Sequence, residues 1–226
     1  MDATFLPSLL TTQVPALPDV HLMRAARHLS WGIVLVFLAL LAGRRWPRWL
    51  RWGLTAILFG WTMLPGAGSL ALWLGLAFQM PSLSSTLLSL GGTVLILRTG
   101  SARLPDPARR RALWQLGLAG IVLGWLLLLD TFALLPFSLY EFGFSPLLVL
   151  IVGLLALLPW MGAGVRHPVA IVTLLLGAVL VLYVLLHLPN GNLWNALLDP
   201  WLWIALQLVG LWQLVRRLSG RAPTRA

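Results

Sequence analysis

The sequence contains no cysteine and no lysine, and only 6 of its 226 residues are acidic. The lack of cysteine excludes disulfides, thiolate catalysis, iron–sulfur clusters and cysteine-ligated zinc. The lack of lysine excludes a Schiff base. Charged residues make up 10% of the chain against 59% hydrophobic, and the mean hydropathy is +0.90. A soluble domain carries about a quarter charged residues, so this chain has too few to cover a globular surface. Lipid is the solvent that fits, and in lipid a long apolar run satisfies its backbone internally, as a helix. A closed barrel would alternate apolar and polar positions. Residues 147–158 and 169–186 do not alternate.

Other absences narrow the function. There is no HExxH, no GxSxG, no Walker loop and no DxD-like acid pair. No internal repeat is evident, so the paired repeats of many secondary transporters are not invoked. The first twenty residues lack a basic start and contain Pro7, Pro15 and Pro18. No cleavable signal peptide is predicted, and the first apolar run, followed by Arg44 and Arg45, reads as a retained helix.

What is present is arginine. All sixteen basic residues are arginine, giving a net charge of +10. They sit in short clusters between apolar runs, the pattern that orients membrane helices rather than a nucleic-acid face. A span needs about 20 residues. The runs predict an all-α polytopic transmembrane helix bundle of about seven spans, within a range of six to eight. The domains expected are an N-terminal interfacial segment over 1–28, the bundle over 29–217 and a basic tail over 218–226. Spans are expected near 29–43, twice within 52–97, and near 112–130, 144–163, 169–187 and 200–215. The 52–97 stretch has two breaks, at Pro65 and Pro81, read as one turn and one kink.

Loops 44–51, 98–111 and 164–168 and the C-terminal stretch from Arg216 hold fourteen of the sixteen arginines. Placing these inside puts the N-terminus outside and the C-terminus in the cytoplasm of a bacterial inner (plasma) membrane. Trp46, Trp49 and Trp52 then mark one interface, and Trp194, Trp201 and Trp203 the other.

This orientation gathers Asp2, Asp19, Asp130, Glu141 and Asp199 at the outer side, with His21, His28 and His187. Only Asp106 among the acids is inside. Asp130, Glu141, His187 and Asp199 are therefore the catalytic candidates, because carboxylates and imidazole carry acid–base chemistry. The competing reading is a solvated rim, with Asp130 as the cap of 131–140. Arg24 and Arg27 break the charge rule and are expected to be held by the outer acids. The asparagines of 188–198 are expected to face a shallow pocket. His28 and His187 sit at outer helix ends, where one haem is conceivable and interfacial histidine is the plainer reading. No cofactor or metal is expected.

Gly117, Gly120 and Gly124 form a small-residue stripe, read as packing within the chain rather than a dimer face. Gln115, Gln207 and Gln213 are expected to bond to neighbouring helices. The expected partners are the lipid bilayer and other membrane-protein subunits, without nucleic acid. Three functions are compatible: a non-catalytic accessory or scaffold subunit of an envelope assembly, a small-solute transporter, or a membrane enzyme with its acid/histidine site at the periplasmic face. The absence of any catalytic motif favours the first.

Overall fold

The computed structural model describes residues 16–100, 106–163 and 170–219, with the side chains of 159–163 and Arg217 outside the description. Asp2, the 164–168 turn with His167, and the tail beyond 219 therefore lie outside the described residues. Among the described residues all regular structure is helical and there is no strand.

The order is α1 (Val20–Ala42), α2 (Arg48–Thr62), α3 (Leu70–Phe78), α4 (Leu83–Thr99), α5 (Pro107–Thr131), α6 (Leu139–Phe142), α7 (Pro146–Ala163), α8 (Ala170–Leu186), α9 (Leu193–Leu197) and α10 (Pro200–Leu218). The starts are written in the sequence. Asp19, Ser82, Asp106, Asn192 and Asp199 each accept a backbone N–H of the helix they precede, and α5 and α10 carry proline in the first turn. Both devices satisfy or remove N–H groups that a helix start leaves without a partner.

The Asp19 cap starts α1 well before residue 29. Residues 20–28 of the expected interfacial segment are continuous with the following apolar run in one helix, Val20–Ala42. The Asp19 carboxylate accepts the Leu22 and His21 N–H groups, both at 2.9 Å. These bonds, that from Leu22 foremost, hold its pKa below the ordinary carboxylate value.

The 52–97 stretch holds three helices where two were expected. Both proline breaks end a helix, and the nine-residue α3 lies between them. Gln79 closes α3 with φ 62°, and its carbonyl accepts Trp31 Nε1 at 2.9 Å. Ser82 then starts α4.

α1 packs chiefly against α2 and α4, α7 against α8, and α10 against α5. The glycine stripe explains the last pair: a Cβ on Gly117 would lie 3.0 Å from Leu206, and one on Gly124 would overlap Trp203. Trp203 also donates to the Ile121 carbonyl at 3.1 Å. The stripe therefore serves packing within the chain, as expected. Trp194 is 8% exposed and Trp203 half-buried, so of Trp194, Trp201 and Trp203 only Trp201 stands at the surface. Gln115, Gln207 and Gln213 make no hydrogen bond to another helix among the described residues; Gln115 is exposed.

Hydrogen bonds between distant parts of the chain bring the starts of α4, α7 and α10 and the ends of α5 and α8 to one end of the bundle. This polar end also contains the main buried cluster, including Leu83, Leu148, Val179, Tyr183 and Leu193. Arg44, Arg45, Arg48, Arg98 and Arg109–Arg111 lie at the opposite helix termini. Among the described residues two helices are long and apolar enough to cross a membrane, Val20–Arg45 and Pro107–Thr131. Leu83–Thr99, Pro146–Leu158 and Ala170–Leu186 are shorter apolar helices.

Candidate functional site

Asp199 organises the centre of the polar end. It is 7% exposed, and Pro200 behind it fixes the first turn of α10. One carboxylate oxygen accepts the Leu202 N–H at 2.8 Å. The other accepts the Ser82 N–H at 2.8 Å and a short bond from the Ser85 hydroxyl. The residue caps α10 and ties it to the start of α4. Three donors thus converge on its two oxygens.

Asp130 works differently from the expected cap of 131–140. Its carboxylate accepts the Tyr140 N–H at 2.7 Å, ten residues on, and so holds α6. The same short helix is held from the other side. Asn192 Nδ2 donates to the Tyr140 carbonyl at 3.0 Å, and Trp194 Nε1 donates to the Leu139 carbonyl at 2.9 Å. The Leu193 N–H reaches the Gly143 carbonyl at 2.9 Å, where the backbones approach so closely that a Cβ on Gly143 would overlap Asn192. Glu141 is exposed in the first turn of α6. His187 has φ 53°, is half-buried, and its ring centroid lies 6.0 Å from that of Tyr183.

A cavity of about 420 Å³ opens at this end between the start of α1, the end of α3 and the 189–200 segment. Arg24, Arg27, Asn190, Asn195 and Asp199 line it. Asp130, Glu141 and His187 do not. The structure thus joins Asp199 to the two arginines and to asparagines of the connector, and leaves the other three candidates elsewhere on the rim. The expectation that outer acids hold Arg24 and Arg27 is corrected. Asp106–Arg109, at the other end, is the ion pair among the described residues, and neither arginine of the cavity has one. Arg27 Nε is buried without a hydrogen-bond partner. Its stem lies across Gly75, where a Cβ would stand 2.5 Å from Arg27 Cδ.

A second, larger space of about 1010 Å³ adjoins the first, with Phe78 and Asp199 lining both. Its walls are overwhelmingly apolar side chains of α1, α4, α8 and α10, and Arg98 stands at its far end. Sequence reasoning pointed to the cavity through Arg24 and Arg27 but missed this groove. The one available hint was the small-residue face Ser85, Ser89 and Gly92 of α4, all three of which line it.

His28 is structural. Its Nδ1 lies 2.5 Å from the Thr62 carbonyl, so that nitrogen carries the proton, and 3.1 Å from the Ser69 hydroxyl. It closes the end of α2 against α1. No group of three or more histidines and acids that could hold a metal occurs among the described residues. No family model matches the chain, and neither a curated protein nor a solved structure is similar to it.

Proposed function

We propose that this protein is a multi-pass protein of a bacterial inner membrane, acting as a non-catalytic accessory or scaffold subunit of an envelope assembly. In this reading α1, α2, α4, α5, α7, α8 and α10 are the seven crossings. The N-terminus is outside and the C-terminus cytoplasmic. The short helices α3, α6 and α9 lie at the outer ends of the crossings. α2 is only 15 residues long, which a membrane accommodates by thinning and by snorkelling of Arg48 and Arg51.

Two features support the membrane setting. Only 22% of the apolar window of α1 and 17% of that of α5 is buried within the protein, so these are not the core helices of a soluble fold. Long apolar side chains stand exposed along α7 and α8, among them Leu150, Leu154, Leu174 and Leu185. Soluble monomers rarely expose such continuous apolar surface.

The non-catalytic reading rests on one observation. Asp130 and Asp199 each accept a backbone N–H from another part of the chain, a tying role that a structural subunit uses and that calls for no reaction. The test is the mass of the tagged protein extracted in mild detergent. A complex of fixed stoichiometry with another membrane protein is expected. A monodisperse monomer under every mild extraction would sink the subunit reading.

A further inference from the structure

We infer that the paired cavities form one binding site for a phospholipid with an anionic headgroup, its phosphate at Arg24 and Arg27 and its acyl chains in the groove. The inference stands apart from the subunit reading, since a lone monomer would bind the same lipid.

The argument starts from charge. Arg24 and Arg27 are one helical turn apart, line the same cavity, and have no acid partner among the described residues. Asp199 is the carboxylate of that cavity, and both its oxygens already accept hydrogen bonds from Ser82, Ser85 and Leu202. The site therefore sets two guanidinium groups, in no ion pair among the described residues, beside a single carboxylate whose oxygens are engaged by Ser82, Ser85 and Leu202. A buried guanidinium nitrogen without an acceptor, as at Arg27 Nε, is costly. Phosphate oxygens match the arginine fork in geometry and charge. Gly75 lets the Arg27 stem lie flat on α3 and so aims the head into the cavity.

The groove supplies the other half. At about 1010 Å³ it stands at the upper end of the usual small-molecule range of about 300–1,000 Å³. Along α4 it runs from Ser85 to Arg98, roughly 20 Å at 1.5 Å per residue. The hydrocarbon core of a bilayer is about 30 Å thick, so the acyl chains of one leaflet, about half of that, fit within this length. Phe78 and Asp199 line both this groove and the arginine cavity. A charged cavity adjoining an apolar trough is the outline of one amphiphile. A free anion has no use for the trough, and a second apolar helix has none for the arginines.

The experiment is native mass spectrometry of the full-length protein in detergent, titrated with phosphatidylglycerol, with phosphatidylcholine of the same chains, or with inorganic phosphate. One phosphatidylglycerol per chain is expected to be retained in preference to phosphatidylcholine. R24Q with R27Q should weaken that retention about tenfold or more. Ala178→Trp, which fills the groove from α8, should remove bound lipid of either kind while leaving the thermal melting temperature near that of the parent protein. Equal retention of the two lipids overturns the proposal, as does retention unchanged in the double variant. Inorganic phosphate that displaces phosphatidylglycerol at equal concentration reassigns the arginines to a free anion. A dimer whose formation excludes lipid from the groove assigns it to a second copy of the chain.

Discussion

The carboxylate of Asp199 and the backbone N–H of Ser82 meet at 2.8 Å across 117 residues of sequence. The contact joins the start of α10 to the start of α4 where both enter the apolar region. Asp199→Ala removes the cap of α10 and leaves the Ser82 and Leu202 N–H groups without their acceptor. The expected loss is about 2–3 kcal/mol of stability. Asp199→Asn keeps the shape and an acceptor oxygen and should lose about 1 kcal/mol. Thermal unfolding in detergent ranks the three proteins; equal melting temperatures would remove the tie from the account.

Gly143 and Gly60 make a matched pair. A Cβ on Gly143 would stand 2.6 Å from Trp194 Cδ1 and closer still to the Asn192 amide, whereas one on Gly60 meets nothing within 4 Å. Gly143→Ala should destabilise by about 1–3 kcal/mol through overpacking. Gly60→Ala, inside α2, should be neutral or stabilise by up to about 1 kcal/mol. The same melting measurement checks both, and a loss at Gly60 as large as at Gly143 would contradict the packing described.

The start of α1 is predicted to weaken in acid. The pKa of Asp19 is depressed by the Leu22 N–H. Its contribution is therefore fully present above the unfolded carboxylate value and is lost as pH falls through the lower folded value. Hydrogen exchange at Leu22 should accelerate relative to mid-helix amides over that acid range, after correction for intrinsic exchange. In Asp19→Asn this extra pH dependence should vanish.

The absence of native cysteine makes orientation directly measurable. Phe137→Cys, exposed beside α6, should react with a membrane-impermeant maleimide in intact cells. Arg48→Cys, at the start of α2, should react only after the membrane is opened. The reverse pattern would invert the proposed topology.

Much of the architecture was legible in hydropathy and punctuation. The apolar runs, the breaks at Pro65 and Pro81, and the Asp-Pro start of α10 are local signals, and each corresponds to a helix or a helix end. The extent of α1 was misread because its first turns are mixed in polarity. A side-chain cap, not hydrophobicity, decides where that helix begins. The site was legible in part. Charge economy singled out Arg24, Arg27 and Asp199, which do share a cavity. It grouped Asp130 and His187 with them because membrane side is a one-dimensional label. Position around the rim depends on which helices neighbour one another, and no local pattern carries that. Asp130 shows the same limit at short range. A carboxylate at a helix end reads alike whether it caps residues next to it or reaches Tyr140, ten residues away.

The four-residue helix α6 is far too short to persist alone, since one helical turn does not repay its own nucleation. Its backbone is held by Asp130, Asn192 and Trp194, and the chain just beyond it by the Leu193 N–H on Gly143. Asn192 in turn depends on α6, since its side-chain amide donates to the Tyr140 carbonyl. The 188–198 connector is anchored by Tyr183 as well, whose hydroxyl donates to the Gly191 carbonyl. The dependence is therefore lopsided: a disturbance at Asp130 should loosen α6 far more than the amides of Leu193 and Trp194.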